Sequence, residues 1–169
     1  MSVLLGNEHL RLRFSSMIKR NRLHHCLLFE GPEGIGKKEM AFWLAQQIFC
    51  EKQSDLACGE CWHCQTVDNN DHPDLLEVGL DPSKRRLQIS VEQARDLIQQ
   101  GSIHPRTGPN RVVIIDPANY MNKDTANALL KTLEEPLTRT VFVLITTSAK
   151  SMLPTIRSRA QRIVFHPVP

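Results

Sequence analysis

The chain has 169 residues, a net charge of +3, 41% hydrophobic residues and 23% charged residues, which is the composition of a folded domain rather than a disordered segment. Its basic residues are scattered except for Lys84–Arg86, so composition alone does not indicate nucleic-acid binding. No apolar run approaches the roughly 20 residues that span a bilayer, and Val3–Leu5 is too short for a signal-peptide core, so we predict a cytoplasmic protein with no membrane partner.

The first elements are a helix, a strand and a second helix. Apolar residues recur at helical spacing from Asn7 to Arg20, which predicts an amphipathic helix. Cys26–Glu30 is a short apolar run and predicts a buried strand, in which Cys26 would be a core thiol. From Met40 onward the apolar residues again follow a helical period, and we expect that helix to end near Cys50.

A glycine-rich turn joins this strand to the second helix. Gly31, Gly36 and Lys37 match the first three fixed positions of G-x-x-x-x-G-K-[ST], a loop whose backbone N–H groups cradle phosphates while its lysine reaches the outer ones. The fourth position normally supplies a hydroxyl to Mg²⁺, but Lys38 occupies it and an ammonium cannot ligate a cation. We therefore expect phosphate affinity with little need for Mg²⁺, and leave open both ATP or ADP binding and a turn without any ligand. The candidate phosphate-binding residues are Gly31, Pro32, Gly34, Ile35, Gly36, Lys37 and Lys38.

Four cysteines follow within fifteen residues: Cys50, Cys58, Cys61 and Cys64. Two overlapping C-x-x-C turns can wrap three thiolates around one Zn²⁺ while Cys50 supplies the fourth, and a site with four protein ligands is structural rather than catalytic. Free buried thiols and a disulfide pair are the alternatives, although disulfides are disfavoured in the cytoplasm. His63 is a reserve ligand.

The rest of the chain alternates strands and helices. The predicted order is strand Leu75–Val78, a helix capped by Ser90 and Gln93 and stopped by Gly101, strand Arg111–Asp116, a helix capped by Asn122, strand Val141–Thr147, a short helix started by Pro154, and strand Arg162–Phe165. Continuously apolar strands are buried on both faces, as in a parallel sheet. The alternation predicts an α/β domain with helices on both sides of that sheet.

Taken together, these stretches resemble the first domain of the bacterial DNA polymerase III clamp-loader subunits, which are members of the AAA+ family. HHCLLFEGPEGIGKKEMA is similar to their phosphate loop, VVIIDPANYM to their Walker B region, and NALLKTLEEP is the most specific match; FVLITTSAKSMLPTIRSRAQRI resembles their sensor-1 strand and Ser-Arg-Cys segment. The resemblance implies an AAA+ P-loop NTPase-type parallel sheet flanked by helices, with an inserted zinc module at residues 50–64. Residues 1–169 would form domain I, and the two prolines near Pro169 look like a linker to lid and collar domains.

The departures from the family pattern favour its delta-prime subunits over the gamma/tau motor. A working motor needs the loop hydroxyl and an acid pair at Walker B, whereas this chain has Lys38 and the remnant Asp116-Pro117. The resemblance therefore implies a non-hydrolysing stator of the DNA-directed DNA polymerase holoenzyme, which helps gamma/tau and delta subunits to load the sliding clamp on primed DNA. It also assigns Thr146 and Thr147 to the sensor-1 region.

Arg159 matches the family's arginine finger, which would act in trans on a neighbouring subunit's nucleotide. The segment reads Ser158-Arg159-Ala160 here, so the arginine of the motif is present although its cysteine is replaced. Arg157 is the nearest competitor, and the plain alternative is that both arginines pair with surface carboxylates. Two other functions stay open: an ATP-hydrolysing motor of gamma/tau type, and a zinc-dependent nucleic-acid-binding module, for which Trp62 and His63 give thin support.

Overall fold

The computed structural model describes residues 6–52 and 54–167, so the predictions for Val3–Leu5 and for the last two residues lie outside the described residues. The helices are α1 (Glu8–Lys19), α2 (Lys37–Phe49), α3 (Trp62–Asp68), α4 (Val91–Gly101), α5 (Lys123–Glu134) and α6 (Pro154–Arg157). The strands are β1 (Cys26–Glu30), β2 (Leu75–Val78), β3 (Asn110–Ile115), β4 (Arg139–Thr146) and β5 (Gln161–Val164). Among the described residues, no helix is long and apolar enough to cross a membrane.

The five strands form one sheet in the order β2-β3-β4-β1-β5, and every neighbouring pair is parallel. The predicted parallel sheet is confirmed. Because all strands run the same way, the segments that follow them meet at one edge of the sheet. Three predicted site segments therefore converge there: the phosphate loop after β1, Asp116 after β3 and Thr146 at the end of β4.

The sheet separates two apolar layers, and β1 contributes to both. Leu27 and Phe29 pack into the layer under α1 and α2, whereas Cys26 and Leu28 pack into the layer under α4 and α5. Cys26 is fully buried, and burial raises the pKa of its thiol to about 12. The prediction of a core thiol at this position is confirmed.

Local signals in the sequence determine where the helices begin. The Ser90 hydroxyl accepts the N–H of Gln93 while the Gln93 side chain accepts the N–H of Ser90, which is the predicted capping box of α4. The Asn122 side chain accepts the N–H of Thr125 at the start of α5. α3, inside the cysteine segment, was not predicted; nor were the two short 3₁₀ turns at Ala118–Tyr120 and Ala149–Ser151.

A buried carboxylate anchors the long loop between α4 and β3. Asp74, directly before β2, is fully buried and accepts the backbone N–H groups of Arg106 at 2.7 Å and Thr107 at 2.8 Å, together with the Thr107 hydroxyl. Burial alone would raise the pKa of Asp74, but these hydrogen bonds outweigh it and hold the pKa below its ordinary value. Asp74 therefore fixes this loop against the start of β2.

Candidate functional site

The phosphate loop is shaped by glycines where no side chain fits. Gly31 lies against β5, and a Cβ added there would approach the carbonyl oxygen of Phe165 to 2.9 Å. Gly36, the residue before α2, has a φ of 91°, in the left-handed region that side chains disfavour. The predicted succession of strand, glycine-rich turn and helix is therefore found.

Lys37 is turned inward onto its own loop. Its ammonium donates to the carbonyl oxygens of Gly31 and Pro32, both at 2.5 Å, and the residue is only 7% exposed. Burial lowers the pKa of this ammonium, and the charge of Asp116 opposes that shift. The two carbonyl bonds satisfy Lys37 within the loop, so a bound phosphate would have to compete with them.

The loop opens onto a cavity of about 320 Å³ at the carboxyl edge of the sheet. The structure brings the predicted phosphate, Walker B and sensor-1 residues together around it. The lining residues are Glu33, Gly34, Gly36, Lys37, Lys38, Glu39, Asp116, Pro117, Ile145, Thr146 and Thr147. Gly31, Pro32 and Ile35 belong to the loop but do not line this cavity.

Thr146 lines the cavity at the end of β4, where its carbonyl oxygen accepts the N–H of Gly31 at 3.3 Å. The residue is 1% exposed; its hydroxyl donates to the Ser148 carbonyl at 3.0 Å and accepts the Ser148 N–H at 3.2 Å. The side-chain oxygen of Asn119 lies 3.4 Å from the same hydroxyl. Thr146 therefore joins β4 to the segment that follows β3, while Thr147 is exposed at the cavity.

Lys38 forms an ion pair that sequence reasoning missed. Its ammonium contacts the carboxylate of Glu77 on β2, the strand next to β3. Burial raises the pKa of Asp116 above its ordinary value; the ammonium groups of Lys38 and Lys37 oppose this shift, and Glu77 adds to it. The side of the cavity that would hold a metal thus contains an internal cation. The alternation in Leu-Leu-Glu-Val is the one signal that could have turned attention to Glu77, since it is the exposed residue of an otherwise half-buried strand.

The four cysteines meet at one point. The sulfur atoms of Cys50, Cys58, Cys61 and Cys64 all lie within 4.8 Å of one another. Tetrahedral Zn²⁺ with Zn–S bonds of about 2.3 Å requires sulfurs about 3.8 Å apart, so a small contraction would close the site. The Cys58 N–H donates to the Cys50 sulfur and the Cys61 N–H to the Cys58 sulfur, each at 3.3 Å. Such bonds stabilise thiolates, which are the form that binds metal, and the donor set fits Zn²⁺.

The thiols differ in their electrostatic surroundings. Backbone N–H groups of Glu60 and Cys61 lower the pKa of Cys58 to about 6, whereas burial raises the pKa of Cys64 well above its ordinary value. His63, the predicted reserve ligand, is outside this cluster. Its Nδ1 lies 2.8 Å from Nε2 of His72 and its Nε2 lies 3.5 Å from Glu51.

The cysteine segment is fastened to α2. The Gln46 side chain on α2 donates to the carbonyl oxygen of Cys64 at 3.0 Å and to the carboxylate of Asp68 at 2.7 Å. The ring of His72 stacks on Phe49 with centroids 4.0 Å apart. Helix α2 therefore begins in the phosphate loop and ends against the cysteine segment.

Arg159 lies against its own domain. One guanidinium nitrogen contacts Glu134 at the end of α5 at 2.6 Å, another donates to the Thr155 carbonyl at 2.6 Å, and the side chain is 27% exposed. Arg157 is exposed and makes no ion pair within residues 6–52 and 54–167. In this conformation Arg159 is folded back onto Glu134 and Thr155, although a partly exposed ion pair of this kind is weak and easily exchanged.

Comparison with known proteins gives the family. The family profile described as "DNA polymerase III, delta subunit" matches residues 6–169. The chain belongs to this family. The resemblance inferred from the phosphate loop, the Walker B region and NALLKTLEEP is thereby confirmed, and the predicted α/β fold, a parallel sheet flanked by helices, is the fold found.

Individual relatives support this assignment to the DNA polymerase III delta subunit family. It is 42% identical over 136 residues to the DNA polymerase III subunit delta' of Pseudomonas aeruginosa, covering 80% of this chain and 41% of the relative. It is 35% identical over 164 residues to the tau/gamma subunit of Haemophilus influenzae, covering 96% of this chain and 23% of the relative. The fold resembles the gamma-subunit-related protein of Thermotoga maritima with a TM-score of 0.63 and 22% identity, over 92% of this chain and 46% of the other. The chain thus spans less than half the length of these proteins.

Proposed function

We propose that this chain is domain I, residues 1–169, of a delta-prime clamp-loader subunit that does not hydrolyse ATP. In this proposal the subunit is a stator of the DNA polymerase III holoenzyme in the cytoplasm. It would assemble with gamma/tau and delta subunits and help them to load the sliding clamp on primed DNA, through lid and collar domains that follow this one. The observation that carries the proposal is Lys38, whose ammonium pairs with Glu77 at the position where a hydroxyl would hold Mg²⁺.

The chemistry of phosphoryl transfer supports the absence of hydrolysis. In P-loop enzymes the transferred phosphoryl group is stabilised by Mg²⁺, which the loop Ser or Thr and a Walker B acid hold, and a further group orients the attacking water. Here Lys38 replaces the hydroxyl, and Pro117 follows Asp116 where a second acid would stand. Both the metal ligand and the water-orienting acid are therefore missing from the motif positions, so we expect neither Mg²⁺ nor turnover in this pocket.

Zinc has a structural role in this proposal. The four cysteine sulfurs would saturate a tetrahedral ion and leave no position for substrate. The bonds from Gln46 and the stacking of His72 on Phe49 would then fasten a metal-closed module to α2. The nucleic-acid-binding alternative is less favoured, because the module's Lys52 pairs with Glu60 and, among the described residues, no Lys or Arg lies over the ring of the exposed Trp62.

Arg159 would assist ATP hydrolysis in a neighbouring subunit, although the chain's own pocket would not hydrolyse ATP. An arginine inserted from a neighbouring subunit stabilises the charge on a transferring phosphoryl group and raises the rate by about a thousandfold or more. To act in this way Arg159 would exchange Glu134 for the neighbour's nucleotide. The side chains of Arg159 and Glu134 are 27% and 48% exposed, so solvent already screens the pair and exchange is inexpensive.

Two measurements on the same preparation test the proposal. The full-length subunit alone should show no steady ATP turnover above that of its Lys37→Ala variant. In the assembled loader with clamp and primed DNA, Arg159→Ala should lower ATP turnover and clamp loading while leaving zinc content and melting temperature unchanged, and Arg157→Ala is the matched control. If Arg157→Ala lowers ATP turnover and clamp loading and Arg159→Ala does not, the role belongs to Arg157. If neither variant lowers them, the action in trans is refuted. ATP turnover by the isolated subunit that Lys37→Ala abolishes would refute the stator assignment.

A further inference from the structure

Three ionisable side chains from different parts of the chain lie beside the cavity: Lys38, Glu77 and Asp116. Glu77 lies on β2 and Asp116 directly follows β3, the adjacent strand, where the Asp116 N–H donates to the Val78 carbonyl at 3.0 Å. Lys38, in the first turn of α2, contacts the Glu77 carboxylate and lines the same cavity as Asp116. The ammonium that pairs with Glu77 therefore lies in the same cavity as the Asp116 carboxylate.

Most charged groups around the cavity are carboxylates, and the Lys38 ammonium neutralises part of their charge. Glu33, Glu39 and Asp116 line the cavity, Glu77 adjoins it, and Lys37 is already engaged by two carbonyl oxygens of its own loop. Removing Lys38 would leave Glu77 without its ion-pair partner, next to the cavity that Asp116 lines. Oxygen ligands with a net negative charge are the donor set that hard divalent cations select.

We propose that the Lys38 ammonium is a resident counter-ion that takes the place of a divalent cation between Asp116 and Glu77, so that it closes this pocket to Mg²⁺ and to metal-chelated nucleotide. A covalently attached ammonium cannot be washed out and offers no open coordination position, which distinguishes it from a bound metal. The inference deepens the proposed function, on which it rests for the loss of hydrolysis. It adds that the divalent-cation site persists in latent form and that one side chain fills it.

The proposal makes Lys38→Thr a gain-of-binding substitution. Threonine removes the ammonium and restores a hydroxyl beside the two carboxylates, so the full-length Lys38→Thr subunit should bind one Mn²⁺ more tightly than the wild type by about tenfold or more, a ratio that corresponds to about 1.4 kcal/mol. Lys38→Arg keeps the positive charge and should gain no site. The double variant Lys38→Thr with Glu77→Gln removes one carboxylate and should lose most of the gain.

Mn²⁺ is the probe because it prefers oxygen ligands and leaves a Cys₄ site to softer metals. Binding is measured, in the absence of nucleotide, by the loss of the electron paramagnetic resonance signal of free Mn²⁺. As a second measurement, adding Mn²⁺ should raise the melting temperature of Lys38→Thr but not that of the wild type. Equal Mn²⁺ affinity in wild type and Lys38→Thr overturns the inference, and so does a folded Lys38→Thr variant without a Mn²⁺-dependent melting shift. The Mn²⁺ measurements use neither ATP nor partner subunits, so their result is independent of the ATP turnover test. ATP turnover by the wild-type subunit would refute the stator assignment but would not change the measured Mn²⁺ affinities.

Discussion

Replacing Asp74 with alanine should lower the free energy of unfolding by about 4 kcal/mol, because the partly buried hydrogen bonds from the Arg106 and Thr107 N–H groups to this charged acceptor would be lost at about 2 kcal/mol apiece. Asp74→Asn keeps the volume and one acceptor oxygen but turns an amide N–H₂ toward the Thr107 N–H. We expect it to lose about half as much, about 2 kcal/mol, since one of the two bonds survives.

Urea unfolding at pH 7 of the zinc-loaded chain measures both changes. The matched control is Asp71→Ala, an exposed acid three residues away, which should stay within about 0.5 kcal/mol of wild type. A loss below about 1 kcal/mol for Asp74→Ala, or a loss equal to that of Asp71→Ala, would show that the loop does not depend on this carboxylate.

Acid titration gives the same residue a second test. The folded pKa of Asp74 lies below its unfolded value of about 3.9, so its stabilising contribution is complete above that pH and is lost as the pH falls through the folded pKa. The stability gap between wild type and Asp74→Asn should therefore be constant from about pH 7 to pH 5 and shrink below about pH 4. A gap that widens on acidification would mean that Asp74 is protonated in the folded chain.

Two further predictions concern the metal segment and the phosphate loop. Cys61→Ala should reduce bound zinc, measured by elemental analysis, from one ion per chain to none, because His63 is held by His72 and cannot replace the lost ligand. Residues 50–72 should then become sensitive to limited proteolysis while the sheet persists. Retention of zinc by this variant would contradict the four-cysteine site. Gly31→Ala should lower the melting temperature, because its Cβ would lie 2.9 Å from the carbonyl oxygen of Phe165, directly after β5, and force that backbone to move. Gly101→Ala has open space around the new methyl group and should not lower it. Equal melting temperatures for the two variants would contradict this packing.

Much of the fold could be predicted because its signals are local. The apolar runs at Cys26–Glu30 and Arg111–Asp116 give strands on their own, and the Ser90–Gln93 pair fixes the start of α4 within one turn. The sheet order is different in kind, since β1 pairs with β4 and β5 from more than a hundred residues away. No pattern within Cys26–Glu30 encodes those neighbours.

The candidate sites likewise combine features that are visible in the local sequence with contacts that arise only in the folded chain. The four cysteines were found by spacing alone, but α3 was missed because its seven residues are dominated by the metal-ligand pattern and carry a short apolar stripe of Cys64 and Val67. Glu134 could not be found from the sequence, and only the alternation in Leu-Leu-Glu-Val pointed to Glu77, because the importance of both residues comes from the arginine or lysine that reaches them across the fold. Motifs identify which residues carry chemistry, whereas the charges that neutralise them depend on the folded structure.

The burial of Cys26 makes this domain suited to fluorescence labelling. Its thiol is fully enclosed, and the chain's four other cysteines are those proposed to hold zinc. A zinc-loaded chain would then offer no reactive thiol, so a cysteine introduced at an exposed position such as Leu137, which is 77% exposed, would take a single maleimide dye. Energy transfer from that dye could report the distance to a neighbouring subunit, and any excess dye per chain would measure the fraction of molecules that had lost their metal.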